Sequence, residues 1–176
     1  MRLFIAINLS KEIKDYLSDL QREFKDYGKI NFIHKKNLHL TLKFLGNVND
    51  NKLKEIKEKL NKVKSKSFEI SLNSIGIFPD KELIRILWID LSPKSKVIEL
   101  AQKIDQELIH FPNDHPFSDH ITLGRVKIIK NKEEFLKKLS LKLKQLTFKI
   151  ASFELMKSDL SKEGPEYTVL ESYKLE

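Results

Sequence analysis

Apolar positions along this chain alternate between two rhythms, short runs of strand type and stripes at helical spacing. Arg2 to Asn8 is a Phe- and Ile-rich run of the kind that forms a buried strand. Ser10 then stands where a helix cap belongs, ahead of Ile13, Tyr16, Leu17, Leu20 and Phe24, one stripe of a helix. Leu38 to Leu45 reads as a second strand, ended by Gly46 with Asn47 to Asp50. Leu53, Ile56, Leu60 and Val63 mark a second helix, and Phe68 to Leu72 a returning strand.

The same order then recurs. Leu83 to Leu91 predicts a strand, Ser92-Pro93 a helix start, and Val97, Leu100, Ala101, Ile104 and Leu108 the stripe behind it. Pro112, Asn113, Asp114 and Pro116 predict a loop before a strand over 119–129. A short helix around Phe135 to Leu139 leads to a strand over 143–155. A hairpin over 153–175 closes the chain, turning across 159–165. Three text blocks repeat collinearly: Leu3 to Ser10 with Arg85 to Ser92, His39 to Leu42 with His120 to Leu123, and Phe68 to Ser71 with Phe148 to Ala151. Their offsets of 82, 81 and 80 residues indicate an internal duplication, about 1–75 and 83–155. Two copies are too few for a solenoid. The predicted fold is α+β: one bilobal domain over 1–176 with two pseudo-twofold-related lobes. Each lobe is expected to be a mostly antiparallel sheet with two helices, with a cleft between them.

The middle block carries candidate chemistry. His39-Leu40-Thr41-Leu42 and His120-Ile121-Thr122-Leu123 are one pattern used twice. On a strand, side chains alternate faces, so each His shares a face with its Thr. A lone strand histidine is an ordinary structural residue; the joint recurrence of His and Thr is what points to a shared site. Two imidazoles titrating near pH ~6.5 suit phosphodiester cleavage, one as base and one as acid. Thr41 and Thr122 hydroxyls suit the non-bridging oxygens. Symmetry leaves the two histidine roles interchangeable, and such a pair needs no metal or cofactor. Strict alternation puts Lys43 on the His39 face and Arg125 on the wrong face, unless a bulge at Gly124 turns Arg125 into the cleft. His34 reads as a surface residue, and Trp88, mid-run, as core. His110, His115 and His120 fit no common zinc spacing, and no aromatic platform for RNA stands out.

Composition narrows the picture. The absence of cysteine removes disulfides, thiolate metal sites and cysteine nucleophiles. No run reaches the roughly 20 apolar residues of a membrane span, and Leu3 to Ile7 is too short for a signal peptide. A cytoplasmic protein with no membrane partner is expected, as a monomer. The net charge of +8 favours a polyanionic partner, but only four of 33 basic residues are Arg, so it also fits a solvated lysine surface.

The chain resembles the 2H phosphoesterase superfamily, and within it the RNA 2′,3′-cyclic phosphodiesterase family, also called 2′-5′ RNA ligase. The matching text is Arg2 to Ile7, His39 to Gly46, Ile75 to Pro79 with Leu87-Trp88, His120 to Arg125, and the tail over 155–170 with Gly164-Pro165 and Tyr167. The resemblance implies hydrolysis of an RNA terminal 2′,3′-cyclic phosphate to a 2′-phosphate. It implies His39 as proton donor, His120 as proton acceptor, and RNA 3′ ends or tRNA halves as partners, with 2′-5′ joining of tRNA halves as a reverse-type activity. Two other readings stand beside it: a small cyclic nucleotide or 2′-5′ oligonucleotide as substrate, and a non-catalytic RNA-binding module.

Overall fold

A computed structural model describes all residues except 112, 114, 115 and 163. Nine strands form one antiparallel, curled sheet, joined by four α-helices among the described residues. In the first half these are β1 (Arg2–Asn8), α1 (Lys11–Arg22), β2 (Gly28–Phe32), β3 (His39–Asn47), α2 (Leu53–Leu60) and β4 (Phe68–Pro79). The second half holds β5 (Ile84–Ser92), α3 (Ser95–Glu107), β6 (His120–Ile129), α4 (Lys132–Lys138), β7 (Thr147–Ile150), β8 (Ser152–Ser161) and β9 (Gly164–Lys174).

The helix starts follow local chemistry. Ser10 caps α1 by accepting the Ile13 N–H at 3.4 Å, and Asn131 caps α4 by accepting the Glu134 N–H at 3.1 Å. The expected cap at Ser92 is not used. Ser92 pairs with Ser71 as the last residue of β5, and α3 begins at Ser95 without a side-chain cap.

Strand order is β7-β4-β5-β6-β3-β1-β8-β9, with β2 beside β6. Each half therefore gives its late strand to the other half: β4 pairs with β5, and β8 with β1. The single strand expected over 143–155 is broken at Ala151, because β7 serves one lobe and β8 the other. The repeated blocks Phe68 to Ser71 and Phe148 to Ala151 thus lie side by side, with Phe68 opposite Ile150. β2, short and alternately exposed, carried no recognisable strand signal. The predicted loop over Pro112, Asn113, Asp114 and Pro116 falls largely outside the described residues.

The two lobes meet where Leu40 of β3 pairs with Ile121 of β6. Both are fully buried in the main core, which the stripes of α1 and α3 cover. The helices cross over as the strands do, α1 packing on β6 and α3 on β3. On the other face Phe4, Ala6 and Met156 form a second, small cluster. Leu40→Ala and Ile121→Ala are each expected to cost about 2–5 kcal/mol, read as a lower denaturation midpoint. Val169→Ala, at a half-exposed β9 position, is expected to change stability by less than about 0.5 kcal/mol.

Candidate active site

With Leu40 and Ile121 turned to the core, period-two alternation sends His39, Thr41, His120 and Thr122 to the opposite face. All four line one cleft of about 450 Å³. His39 Nδ1 lies 2.6 Å from the Asn37 carbonyl, which fixes Nδ1 as the protonated nitrogen; Nε2 lies 2.9 Å from Thr41 Oγ1. His120 Nδ1 is 3.0 Å from Ser118 Oγ, leaving Nε2 as the ring nitrogen not engaged by Ser118.

Aromatic rings wall both imidazoles. Phe4 and Tyr167 flank His39 at centroid distances of 5.2 and 5.3 Å, and Phe78 and Trp88 flank His120 at 5.2 and 5.8 Å. Trp88 is therefore not the core residue expected. It is half-buried on the cleft face of β5, opposite Thr122, while Leu87 and Ile89 take the core. An apolar run buried on both faces hides its alternation. Gly76 makes room for the indole, since a Cβ there would lie 2.3 Å from the ring.

Burial holds both histidines below the ordinary imidazole value, and their charged neighbours differ. For His39 the Asn37 carbonyl opposes that shift, while the charges of Lys14 and His120 add to it. For His120, Ser118 and the Asp119 carboxylate both work against burial. Burial likewise pushes the Tyr167 hydroxyl up, with Arg125 and Arg2 opposing, so both guanidinium groups act at the Tyr167 side of the cleft.

A one-residue bulge follows each motif. Against β1, Ile5 pairs with Lys43 and Ala6 with Thr41, leaving Leu42 extra; against β5, Leu87 pairs with Gly124 and Trp88 with Thr122, leaving Leu123 extra. The bulge in β6 turns Arg125 into the cleft, as a break at Gly124 would require. The matching bulge in β3 overturns the placement of Lys43. Its side chain is only 3% exposed, and its ammonium pairs with Asp105 of α3, while Phe44 takes the cleft position.

Sequence reasoning missed Asn37, a buried polar residue that carries no periodic signal. Its side chain donates to the Pro165 carbonyl at 2.7 Å while its own carbonyl holds His39, tying the β8–β9 hairpin to the site. The aromatic wall of Phe4, Phe44 and Tyr167 was also missed, because those residues are scattered in sequence. His34 is exposed and accepts the Lys36 N–H, His110 is exposed beyond α3, and His115 lies outside the described residues. Among the described residues no group of three His, Asp or Glu side chains is arranged to hold a metal, and no helix is long and apolar enough to cross a membrane.

The sequence pattern of one family, described as LigT like Phosphoesterase, matches residues 7–88 and again 89–167. The chain belongs to this family. It lies within the 2H phosphoesterase superfamily. An RNA 2′,3′-cyclic phosphodiesterase of Methanocaldococcus jannaschii is 36% identical over 98% of this chain and 100% of its own length. One of Archaeoglobus fulgidus is 32% identical over 95% and 96%. The crystal structure of TT0787 of Thermus thermophilus has a TM-score of 0.85 at 26% identity, covering 99% of this chain and 97% of that one. LigT of E. coli shares the fold, with a TM-score of 0.79 at 24% identity over 99% and 96%.

The Lys43–Asp105 pair distinguishes a structural lysine from a phosphate contact. Asp105→Ala leaves an ammonium buried without its partner and is expected to lower stability by about 3 kcal/mol. Lys43→Met removes the charge from the interior and is expected to stay within about 1 kcal/mol of the parent in denaturant melts, with KM unchanged.

Proposed function

We propose that His39 and His120 perform the family's phosphodiester chemistry as an acid–base pair, with Thr41, Thr122 and Arg125 holding the phosphate. The chain is an RNA 2′,3′-cyclic phosphodiesterase, in keeping with relatives of that name that match along nearly its whole length. The observation that carries the mechanism is the placement of two motif histidines, on paired strands, over one cleft.

In this reading, the cyclic phosphate sits between the two Nε2 atoms. His120 takes a proton from water as its oxygen bonds to phosphorus, and His39 gives a proton to the 3′-oxygen as the P–O3′ bond breaks. The products are a 2′-phosphate and a free 3′-hydroxyl, and solvent restores the two protonation states. This direction is the one that the family resemblance implies, and the charged surroundings act unequally on the two rings. Asp119 favours the imidazolium that His120 becomes, while Lys14 makes protonated His39 a stronger acid. Thr41, Thr122 and the Arg125 guanidinium are suited to the non-bridging oxygens, where negative charge concentrates. Pseudo-symmetric placement also suits in-line displacement, which needs nucleophile and leaving group on opposite sides of phosphorus. The reverse-type joining of tRNA halves uses the same pair, with a hydroxyl in place of water. The proposal takes residues 1–176 as one bilobal unit, acting as a cytoplasmic monomer on RNA 3′ ends.

His39→Ala and His120→Ala are each expected to lower turnover of an oligonucleotide 2′,3′-cyclic phosphate about 10²–10⁴-fold in excess chelator. Near-parental activity in either variant contradicts the paired mechanism. The productive form has one imidazole charged and one neutral. Because both values lie below the usual ~6.5 in the free protein, kcat/KM is expected to peak on the acid side of that pH. It falls at lower pH as the base is protonated, and at higher pH as the acid loses its proton. A maximum above pH 8 contradicts the assignment.

A further inference from the structure

Beside each of the two bulges that follow the motifs, a residue of a helix from the other half of the chain makes a polar contact with the motif strand. The buried stripe Ile13, Leu17 and Leu20 of α1 corresponds to Val97, Ala101 and Ile104 of α3 at an offset of 84 residues. By the same offset Gln21 corresponds to Asp105. Asp105 takes the ammonium of Lys43, beside the extra residue Leu42 of β3. Gln21 serves the other bulge: its side-chain amide donates to the carbonyl of the extra residue Leu123 at 2.8 Å and to the Ile33 carbonyl at 2.8 Å. The Leu123 carbonyl also accepts the Ile33 N–H at 2.8 Å, so both its lone pairs are filled. Gln21 is 6% exposed and is the sole polar side chain among the buried residues of α1.

This contact governs which way the strand faces beyond the bulge. With strict alternation after Thr122, Gly124 faces the cleft and Arg125 faces the helices. With Leu123 inserted, two successive residues turn to the core side and Arg125 turns to the cleft, beside Tyr167. A bulge pushes a main-chain group out of the ladder, and in a dry interior that group needs a partner. The Ile33 N–H supplies one and the Gln21 amide the second, with both amide donors engaged, so that Gln21 ties the Leu123 and Ile33 carbonyls to α1.

We propose that Gln21 is a positioning residue for the phosphodiesterase reaction, holding the Leu123 bulge so that Arg125 points at the phosphate. The inference rests on the reading that the cleft binds the phosphodiester with Arg125. Asp105 is its counterpart on the other motif strand, where the residue turned inward is Phe44. The duplicated fold thus meets one geometric need twice, with different chemistry on each side.

A double-substitution cycle with full-length protein tests this. Gln21→Met keeps length and apolar bulk but donates nothing. It is expected to lower kcat/KM on an oligonucleotide 2′,3′-cyclic phosphate, and to weaken binding of adenosine 2′-monophosphate, by ~10-fold or more. In an Arg125→Ala background, the same substitution is expected to change either quantity by less than ~2-fold. Leu17→Ala loosens the same helix without touching the bulge and is expected to keep kcat/KM below its melting temperature. If the loss from Gln21→Met is equal in both backgrounds, or Leu17→Ala reproduces it, the inference is overturned. Should Gln21→Met not fold, Gln21→Asn, one methylene too short to reach both carbonyls, runs in the same cycle with the same criteria. A parent that binds the nucleotide with a non-additive cycle yet shows no turnover overturns the hydrolytic reading alone.

Discussion

The pairing of Leu40 with Ile121 is the contact on which the site depends. It is the one register pair between β3 and β6, and it falls at the middle residue of both His-x-Thr sequences. Burying those two side chains in the core leaves the flanking His and Thr of each strand nowhere to point but the opposite face. A slip of one residue in either strand sends that strand's histidine into the core. Register, hydrophobic burial and the meeting of two imidazoles are therefore one constraint, and exchange of β4 and β8 between the halves reinforces it.

Pseudo-symmetry supplies the pair, but chemistry needs an unequal pair, and the inequality is built outside the motifs. Aromatic rings desolvate both histidines: Phe4 and Tyr167 on one side, Phe78 and Trp88 on the other. The charges then differ, with Lys14 acting on His39 and Asp119 on His120. Beyond the bulges the cleft also differs, with an aromatic ring at Phe44 and a guanidinium at Arg125. Such divergence suits a substrate that carries a nucleoside on one side of phosphorus and water on the other. The β8–β9 hairpin, absent from the first half, adds Tyr167 and the Asn37–Pro165 tie to the His39 side.

Much of this was legible in the residues. His39, Thr41, His120 and Thr122 share a cleft because strand alternation is local and rigid, so a four-residue pattern carries its own geometry. The duplication was legible from its text, and the helix stripes from their spacing. What escaped was non-local. The split of the strand at Ala151 depends on which neighbour each piece finds, and β2 exists only because β6 offers it an edge. Alternation puts Lys43 on the His39 face, as a phosphate contact or a solvated strand-end lysine, and cannot reveal the bulge at Leu42 that buries it against Asp105, whereas Gly124 at least signalled a break in β6. Trp88 read as core because an apolar run does not show which face closes on a site. Asn37 and Gln21, the buried polar residues that organise the motif strands, look ordinary in sequence, since their partners are main-chain carbonyls far along the chain.

Stereochemistry at phosphorus tests the central claim most directly. A single turnover of a diastereomerically pure cyclic phosphorothioate in ¹⁸O-labelled water reports the face from which water attacks. Two histidines acting from opposite sides of one phosphate, in a single in-line displacement, predict inversion of configuration. Retention reveals an even number of displacements through a covalent intermediate and contradicts the paired acid–base account.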